Sequence, residues 1–169
     1  MEVRRATPND WQRVRDLRLR ALQGEPDAYG SSFAQEAGAD EAIWRSWASG
    51  WANATDQELF VAVHDEAWAG MALGVRWEKD PGVAHLYAMW VEPSVRRRGI
   101  GRALVSAVAN WAADLGTAHL VLRVNEDNRG AVTMYERCRF VDTGEREPLR
   151  EGSEAVTMVM RRQHPLSGR

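Results

Sequence analysis

The segment that most restricts how this chain can fold is Val91-Glu92-Pro93-Ser94-Val95-Arg96-Arg97-Arg98-Gly99-Ile100-Gly101-Arg102-Ala103-Leu104. A run of β-forming residues stops at Val91, and Pro93 has no N–H with which to continue a ladder. A glycine-punctuated turn then opens a stretch with Ile100, Leu104, Val108, Trp111 and Ala112 at helical spacing. Strand, tight turn and long helix are thus set in that order. The first N–H groups of such a helix have no intrahelical partner and lie at the positive end of its dipole, where a pyrophosphate is a natural guest. Gly99 and Gly101 allow phosphates to approach the main chain without an intervening Cβ. Arg96, Arg97, Arg98 and Arg102 can add charge-assisted hydrogen bonds. Taken alone, the segment also fits a solvated basic turn whose glycines only cap a helix.

The flanking sequence supplies the elements around this turn. Residues 2–6 predict a short strand, and Thr7-Pro8-Asn9-Asp10 has the form of a helix start, with Trp11, Val14, Leu17, Ala21 and Leu22 on one face. Residues 24–39 read as a loop. A helix beginning after Asp40 carries Trp44, Trp47 and Trp51, which suit either a core or an aromatic pocket wall. Strands are predicted over Leu59–His64, Trp68–Trp77 and Val83–Val91, separated by turn residues. The long helix ends at Gly116; a strand over His119–Val124, a helix over Arg129–Arg137 and strands over Phe140–Gly144 and Ala155–Met160 follow. The expected fold is α/β: one domain over residues 1–165, a mixed but mostly antiparallel sheet of six to seven strands flanked by about four helices, and a short tail over 166–169.

Composition narrows the class. At 169 residues the chain is sized for one domain and buries enough surface to need no disulfide or structural metal. Cys138 is the only cysteine, so a reduced, cytoplasmic setting is expected. A net charge of −2 argues against a nucleic-acid partner, and no stretch approaches the ~20 apolar residues of a membrane span.

A second segment makes the first specific. In Asn125-Glu126-Asp127-Asn128-Arg129-Gly130-Ala131-Val132-Thr133-Met134-Tyr135-Glu136-Arg137-Cys138-Arg139-Phe140, residues Asn128, Ala131, Tyr135 and Phe140 fall on the pattern N-x-x-A-x-x-x-Y-x-x-x-G-F. Together with R-x-x-G-x-G over Arg96–Gly101, it resembles the GCN5-related N-acetyltransferase (GNAT) family, with Arg139 standing where glycine is usual. The turn matches neither the P-loop nor the dinucleotide-binding spacing.

The resemblance implies an acetyl-CoA-dependent N-acetyltransferase with no metal, in which an amine attacks the thioester directly. It places main-chain groups of Met89, Trp90 and Val91 against the pantetheine arm and thioester. Arg96, Arg97, Arg98, Gly99, Ile100, Gly101 and Arg102 fall to the pyrophosphate, and Asn128 contacts the cofactor further along. Tyr135 becomes the expected general acid for the leaving thiolate. Two positions where relatives carry a basic glutamate hold His85 and Arg123 here. His85 is therefore the candidate base, with Glu58, Glu78 or a water chain as alternatives. Cys138 has no histidine near it in sequence and is not expected to act as a nucleophile. The acceptor is expected around Asp27, Tyr29, Ser31, Phe33 and the Trp44 face, and reads best as a small amine. A protein N-terminus or lysine, or a non-catalytic acetyl-CoA-binding role, stays open, and the family frequently forms homodimers.

Overall fold

The computed structural model describes residues 1–164, apart from the side chains of residues 52 and 53. The tail expected over 166–169, and the domain end at 165, lie outside the described residues. Seven strands form one sheet: β1 (Glu2–Arg5), β2 (Gln57–His64), β3 (Ala67–Arg76), β4 (Val83–Val91), β5 (His119–Asn125), β6 (Val141–Pro148) and β7 (Val156–Gln163). Their order is β1-β2-β3-β4-β5-β7-β6, and every neighbouring pair is antiparallel except β4–β5. Five helices flank it: α1 (Trp11–Gly24), α2 (Phe33–Ala37), α3 (Glu41–Asn53), α4 (Ile100–Asp114) and α5 (Arg129–Arg137).

The apolar periodicities become two cores, one on each face. Ile100, Leu104, Val105, Val108 and Trp111 of α4 pack with Phe60, Ala62, Ala72 and Leu86 on one side. That helix comes close because β3 carries glycine beneath it: a Cβ on Gly74 would stand 2.6 Å from Cζ3 of Trp111. On the other side, Val14, Leu17, Ala21 and Leu22 of α1 pack with Leu59, Val61, Met71 and Trp90. Trp44 is buried with Trp11 and Ala48 in a smaller cluster.

Three boundaries differ from the sequence expectation. Pro8–Asp10 forms a 3-10 turn before α1, because the Asp10 carboxylate accepts hydrogen bonds from both the N–H and the hydroxyl of Thr7 at 2.9 Å. The stretch 24–39, expected to be a loop, contains the short helix α2, one of five α-helices among the described residues. Its start is a capping box: Gln35 Oε1 accepts from the Ser32 N–H at 2.8 Å, and Ser32 Oγ from the Gln35 N–H at 3.3 Å. Finally, β6 and β7 run longer than expected, to Pro148 and Gln163, across an irregular register between Asp142 and Arg146. A left-handed Gly144 sits in that irregularity.

Candidate active site

The decisive geometry lies between the two parallel strands. β4 and β5 pair only from Val83–His119 to Leu86–Leu122; beyond that point they separate. β4 departs because it is bulged. Tyr87 opposes Leu73 and Trp90 opposes Met71, so Ala88 and Met89 together face the single position Ala72. Ala88 takes φ +49°, unusual for a residue with a side chain, and marks the extra residue. The result is a strand edge with main-chain groups free to pair with a guest.

A cavity of about 1180 Å³ occupies this opening and continues to the helices on the α1 face. Of the sequence-predicted residues, Met89, Trp90, Val91, Arg96, Arg97, Gly99, Ile100, Gly101, Arg102, Asn128 and Tyr135 all line it. At its mouth the loop takes left-handed conformations at Arg97 (φ +62°) and Gly99 (φ +84°), which turn the chain tightly into α4. Gly101 stands close under β4: a Cβ there would lie 3.3 Å from Cε of Met89.

The arginine side chains separate. Arg96 is already engaged, its Nε donating to the Val91 carbonyl at 2.9 Å and its Nη2 to Glu25. Arg98 turns away from the cavity, with Nη1 3.3 Å from His64 Nε2 in the β2–β3 hairpin. It can serve the loop through its main chain. Asn128 caps α5, its Oδ1 accepting from the Ala131 N–H at 3.1 Å.

Tyr135 is held by the end of its own helix. Phe140 N–H donates to the Tyr135 carbonyl at 3.1 Å and Arg139 N–H to Glu136 at 2.9 Å, the double bond pattern of a Schellman stop. Arg139, standing where the family usually has glycine, takes the required left-handed conformation itself, at φ +69°. The ring of Phe140 then packs edge-on against Tyr135, centroids 5.8 Å apart. Burial, with a smaller contribution from the neighbouring Glu25 carboxylate, raises the Tyr135 pKa above the ordinary phenol value, so the hydroxyl stays protonated. Cys138 also lines the cavity, and burial pushes its thiol up, away from a reactive thiolate.

His85 does not reach the cavity wall. It sits on β4 before the bulge, stacked at 5.9 Å on Tyr87, and Tyr87 is the residue that lines the opening. Burial and the Arg123 charge lower the His85 pKa, partly countered by Asp80, leaving the imidazole neutral near pH 7. Glu58 lies elsewhere, buried beside Arg5 at 3.3 Å and alternating with Leu59, hence on the α4 face. Glu78 is exposed in the β3–β4 turn.

The acceptor end was only partly anticipated. Tyr29 lines it as expected, and its hydroxyl donates to the Met89 carbonyl at 3.1 Å, tying the α1–α2 connection to the bulge. Of the tryptophan stripe, Trp47 and Trp51 face the cavity while Trp44 belongs to the core. Arg18, Glu36, Tyr87, Arg123 and Glu147 also line the cavity. Apart from Arg123, which the family resemblance singled out, nothing local marks them, since five elements (α1, α2, β4, β5 and β6) converge to assemble them.

A mixed sheet that opens between its two parallel strands, with a tight glycine turn leading into a helix at the mouth of the opening, defines the class of this α/β fold. The chain belongs to the acetyltransferase (GNAT) family, whose pattern matches residues 11–140. A mycothiol acetyltransferase of Mycobacteroides abscessus is 36% identical over 86 residues, which is 48% of this chain and 28% of that relative. The chain therefore matches little more than a quarter of that relative's length. Among solved structures, yncA from Salmonella typhimurium, solved with its cofactor acetyl-CoA, superposes with a TM-score of 0.81 over 100% of this chain and 96% of its own, at 16% identity. A GCN5-related N-acetyltransferase from Kribbella flavida gives 0.76 at 24% identity, covering 96% and 97%. These likenesses establish the fold. No helix among the described residues is long and apolar enough to cross a membrane.

Proposed function

We propose that this protein transfers an acetyl group from acetyl-CoA to a small primary amine. The observation that carries the reading is the separation of β4 from β5 beyond Leu86 and Leu122, with a bulge at its edge and the Arg96–Gly101 loop at its mouth. Such an opening fits a ligand with an amide-bearing arm and a pyrophosphate: strand-edge groups for the arm, loop N–H groups for the phosphates. Bound there, acetyl-CoA supplies an activated thioester.

The chain's own residues perform the remaining tasks. A main-chain N–H at the bulge, near Met89 or Val91, holds the oxygen on which charge develops as the amine attacks. Tyr135, whose hydroxyl is protonated at neutral pH, donates its proton to the departing thiolate. His85, neutral but screened by Tyr87, accepts the amine's proton at one remove, through water. Tyr29, Trp47, Trp51 and Tyr87 give the acceptor end aromatic walls suited to a compact organic amine.

Release of free thiol from acetyl-CoA across a panel of small amines tests the proposal. Acceptor-dependent release is the expected result; release that never exceeds the amine-free background across the panel overturns it.

A further inference from the structure

Three arginine–carboxylate pairs line the cavity, and one of them joins the loop end to the acceptor end. Arg18 holds Glu36 through two hydrogen bonds of 2.9 and 2.7 Å, both side chains largely buried. Arg123 holds Glu147 at 2.9 Å. In the third pair, Glu25, at the end of α1, binds Arg96 of the anion-receptive loop. Glu25 is the only one of the three carboxylates whose partner lies where phosphate is expected.

We infer that Glu25 is an anchor for the acceptor's ammonium group that is released by cofactor binding: phosphate on the loop draws Arg96 away, and the freed carboxylate receives the cationic acceptor. The inference rests on the proposed acetyl transfer. Three observations support it. The Arg96 guanidinium is fixed at the end of β4 by its bond to the Val91 carbonyl, so it stays beside the loop whichever anion it serves. The pair is partly in water, with side chains 41% and 29% exposed, and ion pairs of that kind are weak. A pyrophosphate offering several charged oxygens, backed by the loop N–H groups, competes well for the same guanidinium. Finally, Glu25 lines the same cavity as Tyr29, Met89 and Tyr135, so its carboxylate faces the space through which an amine approaches the bulge. The pairs of Glu36 and Glu147 have no such competitor.

Linkage then requires reciprocity: the cofactor strengthens binding of a cationic acceptor, and the acceptor strengthens binding of the cofactor by the same factor. Calorimetric titration tests both halves without turnover. Glu25→Gln should bind CoA about two- to fivefold more tightly, the factor expected from losing a weak competing ion pair. In an Arg96→Ala background the same substitution should change nothing. Phenethylamine should bind the CoA-saturated protein more tightly than the cofactor-free protein, and Glu25→Gln should abolish the difference. Unchanged or weaker CoA binding by Glu25→Gln overturns the inference, as does tightening that persists without Arg96, which would be simple charge repulsion. Phenethylamine binding that ignores CoA overturns it as well. Failure of acetyl transfer itself would appear separately, as absent thiol release with these binding results intact.

Discussion

Tyr135 illustrates how a single side chain acquires a role from its surroundings. Its helix stops in a left-handed turn, Phe140 closes on its ring, and burial raises its pKa. A phenol in that state can donate a proton but does not ionise near neutral pH. Tyr135→Phe should therefore lower kcat by about 10²–10⁴ while leaving CoA affinity nearly unchanged, as read from steady-state turnover and calorimetry. An unaltered kcat, measured where chemistry limits turnover, removes Tyr135 from the reaction. His85 is the weaker participant, because Tyr87 stands between it and the cavity. Its pKa lies below the ordinary value of about 6.5. If it takes the amine's proton, activity is full above that range and falls as pH drops through the lowered pKa. In His85→Gln that acid limb should vanish from the kcat/KM profile. A limb that survives the substitution and moves with acceptor basicity assigns it to the amine.

At the scale of elements, the bulged β4 and the turn into α4 act together. The bulge frees the strand edge, and the left-handed Arg97 and Gly99 turn the loop so that α4 begins beneath Met89 and Val91. Binding at this turn should depend on main-chain approach more than on side-chain charge. Gly101→Val places branched carbon where a Cβ alone already stands 3.3 Å from Met89 and 3.7 Å from Val91. It should weaken acetyl-CoA binding more than Arg97→Ala does, and calorimetric titration of the two variants compares them directly. Equal or reversed losses would make the arginine side chain the larger contributor. The turn was readable in the sequence because strand end, proline, glycines and helix period are all local signals. The bulge was not, since Ala88 carries nothing in its identity that announces φ +49°. Helix α2 was missed although its Ser32–Gln35 capping box is written in the sequence; the surrounding Gly, Pro and Ser residues outweighed it.

The whole molecule is a sheet clamped between two helical layers, and the clamp decides where the sheet can open. On the α4 face, Gly74 lets Trp111 and Val108 lie against β3, beside the strand that must carry the bulge. Gly74→Ala should destabilise the fold by about 1–3 kcal/mol, because the new carbon meets an aromatic ring that packing prevents from retreating. A lowered urea midpoint with an unchanged slope is the expected signature; an unchanged midpoint would show that Trp111 has room to move. Family, fold class and the loop were determined by sequence alone. They rest on local rules: hydrophobic period, glycine and proline punctuation, and two motifs whose residues lie within a few turns of each other. The acceptor wall and the partners of its charges were decided only by tertiary structure. Glu25 meets Arg96, Arg123 meets Glu147, and Tyr29 reaches the Met89 carbonyl across long stretches of chain. No periodicity encodes such meetings, because they arise from the way α1, α2, β5 and β6 pack around a sheet that the bulge in β4 has opened.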